Sequence, residues 1–386
     1  MGSYAKIDEE AFVLPVLERL PAADLVHLRG MPLKRLETYV VEHGQKAFRA
    51  RQLFAWIQER GARSFEEMTD LSKSLRQFLS TEAALSAIAP KGAHHSPDGT
   101  VKLTFDLHDG AVVESVVIPA DGRVTLCVSS QVGCAMGCQF CRTATMGFVR
   151  NLSSSEIVDQ VAWAKQIWES HTGSHLSNIV FMGMGEPLRN YDNVVEALQV
   201  LLDPIGLNLS KRRITVSTSG VVPILERFGG EELDGNIAIS LNATTDAVRD
   251  ELMPVNQKWN LAELLGALRR YPLKPNRRIT FEYVMLAGVS DSDNDAKRLV
   301  KLLHGLPSKV NLIPWNPFAG ARFERPDRAQ IVHFKERLLA ANVNVTIRES
   351  RGTEELAACG QLGEPSKAAA WREQHRDSRR RGLEQG

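Results

Sequence analysis

The chain has 386 residues, of which 43% are hydrophobic and 24% charged, which is ordinary for a globular protein. Its net charge of +1 does not indicate a nucleic-acid-binding protein, so any contact with RNA has to come from local basic patches. No apolar run approaches the roughly 18 residues of a membrane helix, no signal-peptide pattern opens the sequence, and five cysteines are too few for a disulfide framework. We therefore expect a cytoplasmic protein that has no membrane partner and keeps its thiols reduced as ligands.

The N-terminal part is expected to hold an extension and a small domain. Residues 1–30 are poorly patterned and indicate a loosely held extension. Residues 31–90 predict a small helical accessory domain, with amphipathic helices over 33–44, 48–61 and 72–79, of which the first two end at glycines. Between Lys34 and Arg63 there are seven Lys or Arg against three Glu. This basic stretch fits an RNA-binding face and an ordinary solvated face equally well.

The middle of the chain predicts β structure that leads into an α/β domain. Residues 91–122 are expected to be a short antiparallel β extension, because polar and apolar residues alternate there between Asp-Gly turns. Residues 123–365 then alternate between β-branched runs and stretches of helix length, which is typical of a parallel sheet. After the strand that precedes the cysteines, the predicted strands are 178–182, 213–217, 236–241, 278–286, 310–315 and 343–348.

This strand count suits an α/β fold built as a partial (β/α)6 barrel, in which functional sites gather at the C-terminal ends of the strands. Residues 366–386 form a basic C-terminal tail that includes three arginines at 379–381. Such a tail is more typical of a disordered terminus than of a segment that contacts phosphates.

Three cysteines, Cys134, Cys138 and Cys141, are the most informative residues of the chain. Their C-x3-C-x2-C spacing and soft thiolates suit an iron–sulfur cluster or zinc. Three ligands on a four-iron cluster leave one iron free to bind a small molecule, whereas a structural zinc site would need a fourth ligand from elsewhere. The motif therefore indicates an open metal centre, with a zinc knuckle or buried thiols as alternatives.

Polar motifs also follow four predicted strands. The first is Gly183-Met-Gly-Glu-Pro187, where small residues let the backbone approach a ligand and Glu186 offers a carboxylate. The others are Ser217-Thr-Ser-Gly220, Ser240-Leu-Asn242 and Trp315-Asn-Pro-Phe318. One polar strand end means little, but four around one barrel mouth predict a polar ligand cup. Lone cysteines are usually small buried hydrophobes, yet the polar turn at Cys359 predicts an exposed and mobile side chain.

The cysteine spacing, with Phe140 before the last cysteine, resembles the radical S-adenosylmethionine (SAM) enzymes. Over nearly the whole chain the sequence resembles the RlmN/Cfr family of RNA methyltransferases within that superfamily, and GMGEP and WNPF are closer to its RlmN branch. The blocks that carry the resemblance are LCVSSQVGCAMGCQFC, GFVRNL, FMGMGEPL, LSKRRITVSTSGVVP, SLNA, VNLIPWNPF and AACGQL. The resemblance implies a [4Fe–4S] cluster, SAM, and methylation of adenosine C2 in 23S rRNA and in certain tRNAs.

The resemblance also implies a role for individual residues. Cys134, Cys138 and Cys141 would bind the cluster, whose open iron would chelate the amino and carboxylate groups of SAM. The residues that fall where the family contacts SAM are Gly185, Glu186, Ser217, Ser240, Leu241, Asn242 and Asn316, although the position of Asn242 is often His in the family. Cys359 would accept a methyl group, Cys127 would release a protein–RNA adduct, and Glu114 would be the proton acceptor. From its sequence context alone, Glu114 would be a surface carboxylate on a strand.

Two cysteines are needed because adenine C2 has no nucleophilic character and cannot take a methyl group directly from SAM. A methyl group held on Cys359 would lose a hydrogen atom to a 5′-deoxyadenosyl radical and then add to C2, and Cys127 would break the resulting tether by forming a disulfide. We expect RNA and an electron-donating reductase as partners, and we expect the protein to be a monomer. The alternatives are a C8 methylase or a paralogue acting on another RNA, and, in a different class, a zinc-bound RNA-binding protein without catalysis.

Overall fold

The computed structural model describes residues 25–375, except residues 232 and 234. Most of the predicted N-terminal extension, up to residue 24, and the arginines at 379–381 of the predicted tail lie outside the described residues. The strands are β1 (Val26–His27), β2 (Ala83–Ala84), β3 (Ile88–His95), β4 (Val101–Leu107), β5 (Val112–Ala120), β6 (Arg123–Cys127), β7 (Gln131–Gly133), β8 (Phe148–Asn151), β9 (Asn178–Phe181), β10 (Ile214–Thr218), β11 (Asn236–Ser240), β12 (Ile279–Met285), β13 (Ser308–Pro314) and β14 (Val345–Ile347).

The helices are α1 (Leu33–Glu42), α2 (Phe48–Gln58), α3 (Lys73–Glu82), α4 (Arg142–Thr145), α5 (Ser154–Thr172), α6 (Tyr191–Leu202), α7 (Val222–Gly229), α8 (Asp246–Leu252), α9 (Leu261–Arg270), α10 (Asp293–Leu303), α11 (Arg328–Ala340) and α12 (Pro365–Gln374). Short 3-10 helices cover Phe65–Glu67, Pro187–Asn190, Lys211–Arg213 and Pro254–Gln257. None of the described helices is long and apolar enough to cross a membrane.

One ten-stranded sheet organises the molecule, in the order β14-β13-β12-β11-β10-β9-β6-β5-β4-β3. Seven strands, from β6 to β14, pair in parallel, and helices occupy the connections between them. The sheet therefore contains six strand–helix repeats followed by a seventh strand, without pairing between β6 and β14. This is the partial (β/α)6 barrel that the sequence predicts.

The antiparallel strands continue the same sheet. Strands β3, β4 and β5 pair in sequence and β5 pairs with β6, so the predicted β extension is an edge of the barrel sheet. Strand β3 is absent from the prediction. It contains Pro90 and Gly92, which have low strand propensity, and its register with β4 shifts between these two residues. Pairing with β4, and not its own sequence, makes this segment a strand.

The boundaries of the terminal units also differ from the prediction. Residues 26–27 pair with 83–84, and Leu28 and Arg29 are buried, so the end of the predicted extension belongs to the helical unit. The start of the predicted tail forms α12. Its Trp371 indole N–H donates to the carbonyl oxygen of Asp109 (2.8 Å), and Arg372 donates to that of Met146. These contacts hold the first part of the tail against the barrel.

The helical unit is joined to the barrel by a tightly packed and charged contact. A Cβ atom at Gly30 would lie 2.0 Å from the backbone nitrogen of Ser155, so only glycine lets the two backbones approach this closely. Next to it, Arg29 Nε lies 2.7 Å from the Asp159 carboxylate, and both side chains are at least nine-tenths buried. Asp159 also accepts the backbone N–H of Ala87. Asp159 thus connects α5 to two segments of the helical unit.

We expect Asp159→Ala to lower the free energy of unfolding by about 3 kcal/mol, because it leaves the Arg29 guanidinium buried without a counter-charge. Chemical denaturation monitored by circular dichroism measures this change. The matched control is Glu349→Ala, which removes the partner of Arg328 from an ion pair that is more than half exposed. This control should cost less than about 1 kcal/mol. Equal effects of the two substitutions would show that the buried pair does not hold the units together.

Candidate active site

A cavity that encloses about 930 Å³ of empty space, part of it open to solvent, lies at the C-terminal ends of the parallel strands. Strands β9 to β14 or the segments that follow them all contribute to its wall, as does the cysteine loop after β6. Ten of the thirteen predicted site residues line it: Cys134, Cys138, Cys141, Gly185, Glu186, Ser217, Ser240, Asn242, Asn316 and Cys359. Leu241, Cys127 and Glu114 do not.

The cysteine loop is held in place by backbone hydrogen bonds to three distant segments. The Cys134 N–H donates to the Gly147 carbonyl oxygen (3.1 Å), and the Gln139 N–H donates to that of Leu252 (3.0 Å). The indole N–H of Trp315 donates to the carbonyl oxygen of Phe140 (3.0 Å). Because each anchor is a backbone atom of the loop, the cysteine side chains stay free to bind a ligand.

The three thiols are partly or fully enclosed and carry no disulfide. Burial raises the pKa of Cys134 to about 12, that of Cys138 well above its usual value, and that of Cys141 as well. Thiolate ligands have to lose their protons when a metal binds, and a metal centre supplies the positive charge that stabilises them. Among the described residues, no three His, Cys, Asp or Glu side chains are grouped closely enough to hold a single metal ion. Assignment of the three cysteines to a cluster therefore rests on their spacing, their shared loop and the cavity.

The Gly183–Pro187 loop passes directly over the start of the cysteine segment. Gly185 has φ of +96°, and a Cβ atom there would lie 2.5 Å from the Gln131 Cβ, so glycine is required for both reasons. The Glu186 carboxylate accepts the N–H groups of Ser219 (2.7 Å) and Leu188 (3.1 Å). Burial nevertheless raises the pKa of Glu186. Each carboxylate oxygen has a second lone pair, so Glu186 can still accept from an amino group in the cavity.

Arg249, which the sequence did not single out, ties two strand ends together. Its guanidinium is fully buried and donates to the carbonyl oxygens of Ser219 (2.7 Å), Ser240 (3.2 Å) and Leu241 (3.0 Å). It also donates to Asn256 Oδ1 (2.9 Å). These four bonds set the spacing of the β10 and β11 ends, where the predicted SAM contacts lie. No local sequence signal marks this role, because Arg249 lies on an ordinary polar helix.

The residues after β11 and β13 that are predicted to contact SAM differ in how far the protein already buries or bonds their side chains. Asn242 has φ of +59°, and its Oδ1 accepts the Val284 N–H (2.9 Å), so its side chain already bridges two strands. The Leu241 side chain is fully buried in the core, which leaves only its backbone near the cavity edge. Asn316 donates to the Cys359 carbonyl oxygen (3.0 Å), while its buried Oδ1 has no partner.

Cys359 is brought to the cysteine loop from the far end of the chain. The Arg142 N–H, next to Cys141, donates to the Gly360 carbonyl oxygen (2.7 Å). The amide of Gln361 donates to the Pro317 carbonyl oxygen (2.7 Å). Cys359 is therefore partly buried in the cavity wall between anchored neighbours, and the expectation of an exposed side chain is wrong.

Cys127 lies behind the cavity wall, at the end of β6. It is 5% exposed, and burial is the main reason why its pKa is raised to about 12. The nearby Cys359 thiol also raises this pKa, whereas the charge of Arg348 lowers it. Arg348 lines the cavity, and the charges of Cys359, Glu282 and Cys127 raise its pKa. Cys127 and Cys359 thus share one cationic neighbour. The position of Arg348 at the end of a predicted strand is the signal that could have drawn attention to it.

Glu114 is buried but faces away from the cavity. Its Oε2 accepts the Gly363 N–H (2.8 Å), and Lys102 Nζ lies 3.9 Å from its Oε1. It lines a separate small pocket with Gly363 and Trp371. It is therefore not the surface carboxylate that its sequence context indicates. In this conformation Glu114 holds the segment that carries Cys359.

The residues present fit an iron–sulfur cluster with a bound SAM. The cavity combines three thiols that form no disulfide, a glycine that allows close approach to the backbone, and buried polar atoms without partners in the described part of the chain. Two such atoms, Asn316 Oδ1 and Glu282 Oε2, belong to residues that line the cavity. Buried polar groups are rarely left without partners unless a ligand or water completes them.

Comparison with known proteins gives the same assignment. Residues 26–85 match the model of the ribosomal RNA large subunit methyltransferase N-terminal domain, and residues 128–300 match that of the radical SAM superfamily. Membership of this superfamily confirms a [4Fe–4S] cluster and SAM as the cofactors. A crystal structure of a radical SAM methyltransferase from Sphaerobacter thermophilus superposes with a TM-score of 0.84 and 43% identity, covering 87% of this chain and 99% of that one. It confirms the predicted fold class.

Two relatives extend the match over most of the chain. The dual-specificity RNA methyltransferase RlmN of Anaeromyxobacter dehalogenans is 49% identical over 357 residues, which are 90% of this chain and 96% of that protein. The protein of the same name from Geobacter sulfurreducens is 50% identical over 338 residues, which are 88% of this chain and 92% of that protein. The chain therefore belongs to the RlmN family of radical SAM methyltransferases.

Proposed function

We propose that this protein methylates C2 of an adenosine in 23S rRNA and in tRNA, through a methyl group carried by Cys359. The relatives bear the name of dual-specificity RNA methyltransferases. The observation that carries the mechanism is the position of Cys359, which lines the same cavity as the three cysteines of the loop although it lies far from them in sequence. A cysteine methylated there would present its methyl carbon to the open side of the metal centre.

When bound, the cofactors supply a methyl group and a carbon radical that can abstract hydrogen. The Cys359 sulfur accepts the methyl group and holds it in the cavity while the hydrogen atom is removed. The remaining methylene radical adds to C2, and the adduct then loses the C2 proton and one electron, which the metal centre would take back, so that the base is joined to the protein through the Cys359 sulfur. Asn316 orients this cysteine through its carbonyl oxygen. The target base has to leave its stack to reach the cavity, which costs a few kcal/mol.

Cys127 is the residue that we propose releases the product. Its sulfur attacks the Cys359 sulfur, an S–S bond forms as the carbon–sulfur bond to the nucleotide breaks, and the electron pair leaves with the carbon, which takes up a proton. Because burial raises the pKa of Cys127, its deprotonation depends on Arg348 and on an opening of the site. Glu114 is the proposed acceptor of the C2 proton, and its hydrogen bond to Gly363 has to open before it can reach the base.

The helical unit offers a surface that suits RNA. Phe48 is half exposed, and the Arg49 guanidinium lies 4.8 Å from its ring centroid. Arg60 stacks 4.2 Å over the Trp56 ring. Planar cations paired with aromatic faces bind phosphates and stack on bases. We propose this face as the RNA contact of a cytoplasmic, monomeric enzyme that takes electrons from a separate reductase.

The cluster assignment predicts that Cys138→Ser abolishes iron and sulfide binding, because an open cluster with two cysteine ligands is not retained. Anaerobic purification followed by iron, sulfide and zinc analysis measures this. Cys127→Ala is the matched control and should keep the iron and sulfide content of the unmodified protein. About one zinc per chain and no sulfide in the unmodified protein would favour the zinc-bound RNA-binding alternative.

The two-cysteine mechanism predicts distinct effects for its two thiols. Active protein should carry a methyl mass on the peptide that contains Cys359, and Cys359→Ala should lose all methylation of RNA. Cys127→Ala should instead accumulate protein covalently joined to RNA, because the adduct forms but is not released. Gel shift under denaturing conditions and peptide mass spectrometry detect the two products. The mechanism is contradicted if Cys359→Ala keeps full activity and the Cys359 peptide of the unmodified protein carries no methyl group.

The position of methylation is predicted to be C2. Expression in a strain without its own enzyme, followed by digestion and mass spectrometry of 23S rRNA and tRNA, should yield 2-methyladenosine from both. Standards of 2- and 8-methyladenosine separate the two isomers. Detection of 8-methyladenosine alone would place the protein with the C8 methylases.

A further inference from the structure

Glu282 is a buried carboxylate that lines the cavity and has no part in the chemistry above. It lies on β12, where its register partners are Ser240 on β11 and Asn311 on β13. Only 4% of its surface is exposed. In-register residues of neighbouring strands point to the same side of a sheet. Glu282 therefore lies beside Ser240, which is one of the predicted SAM contacts.

One carboxylate oxygen of Glu282 is anchored from the neighbouring strands. Asn311 Nδ2 donates to Glu282 Oε1 (2.8 Å), and Asn311 Oδ1 accepts the hydroxyl of Thr346 (2.7 Å). Because the threonine occupies the amide oxygen, the amide nitrogen is turned toward Glu282. The direction of the carboxylate is thus set by side chains on β13 and β14.

The second oxygen, Oε2, is buried and has no hydrogen-bond partner. Burying a carboxylate oxygen in this way costs free energy, because the oxygen has lost its hydrogen bonds to water without gaining another donor. The structure tolerates this cost at a residue that lines the cavity, where a ligand can supply the missing donor. The charge of Arg348, which also lines the cavity, favours the ionised form of Glu282 against the effect of burial on its pKa, but Oε2 receives no hydrogen bond among the described residues.

We propose that Glu282 binds the adenosine portion of a ligand in the cavity, its Oε2 accepting a hydrogen bond from the exocyclic amino group or a ribose hydroxyl. A carboxylate only accepts, so the ligand has to present an N–H or O–H group. The amino and carboxylate groups of SAM are taken up by the metal centre in this superfamily, which leaves the adenosine donors. The inference rests on the proposed function, because SAM and the target nucleotide both carry an adenosine.

The test is Glu282→Gln, measured by equilibrium dialysis of labelled SAM against cluster-loaded protein. Glutamine keeps an oxygen for Asn311 and turns an NH₂ group toward the ligand, so an acceptor is replaced by a donor. We expect the Kd for SAM to rise roughly ten- to a hundredfold, as for loss of a hydrogen bond to a charged group. Asp295→Asn is the matched control, because this buried carboxylate bonds Thr244 and Arg298 outside the cavity. It should leave the Kd unchanged.

A second measurement uses the unmodified protein and does not depend on how the variant folds. SAM is compared with analogues that lack the exocyclic amino group of the adenine, the 2′-hydroxyl of the ribose or the 3′-hydroxyl of the ribose. One of them should bind at least tenfold more weakly to the unmodified protein and show little further loss with Glu282→Gln. Combining the Glu282→Gln variant with the SAM analogues therefore identifies the ligand group that donates a hydrogen bond to Oε2.

The RNA source of adenosine is tested with a target hairpin and the same hairpin carrying purine riboside at the target position. A loss of hairpin affinity in Glu282→Gln, confined to the adenosine hairpin and with SAM binding unchanged, supports the target nucleotide as the ligand. If neither SAM nor hairpin affinity changes while the unmodified protein binds both, the inference is overturned and the proposed function stands. If the unmodified protein binds no SAM, the proposed function fails together with it.

Discussion

The contact between the cysteine loop and the Cys359 segment is the constraint on which the proposed chemistry depends. The hydrogen bond from Arg142 to Gly360 is short, and it joins residues that are neighbours of Cys141 and Cys359. Loop closure over such a long stretch of chain costs entropy that no local interaction recovers. The intervening barrel recovers it, because each parallel strand returns the chain to the same edge. A fold of short local connections would leave the two cysteines apart.

The same topology explains why polar side chains enter the wall of the cavity although the strands are largely apolar. The strand interiors are largely apolar and buried, and most of the polar side chains of the cavity wall lie where strands end. Arg249 then fixes two of these ends relative to each other from beneath the cavity. A buried guanidinium that serves backbone carbonyl oxygens gives a more rigid frame than loops packed only by apolar contacts.

Much of the fold could be predicted from the sequence, because β-branched runs and glycine stops are local signals. The six predicted barrel strands agree with the structure to within two residues at each end, whereas β3 was missed because its pairing with β4 outweighs the weak propensities of Pro90 and Gly92. Helix α12 has an alanine-rich sequence after Pro365 and could have been found. Glu282 and Arg249 could not, because their roles arise from burial beside residues that are distant in sequence, whereas Arg348 has one local signal, its position at the end of a predicted strand.

The anchoring of the Cys359 segment also bears on how one thiol would serve the three steps of the proposed mechanism. Hydrogen bonds hold the backbone at Cys359, Gly360 and Gly363, but none of them engages the thiol itself. Rotation about the Cα–Cβ bond between staggered positions therefore redirects the sulfur while the backbone stays in place. The proposed mechanism uses one rotamer that points to the metal centre and another that points toward Cys127, whose thiol is near enough to interact with that of Cys359. In the proposed mechanism Glu114 has two tasks. Its hydrogen bond to Gly363 keeps the segment docked, and once this bond opens for Glu114 to accept a proton, the segment would gain the freedom that the proposed attack by Cys127 requires. Proton removal and product release would then be coupled through one carboxylate.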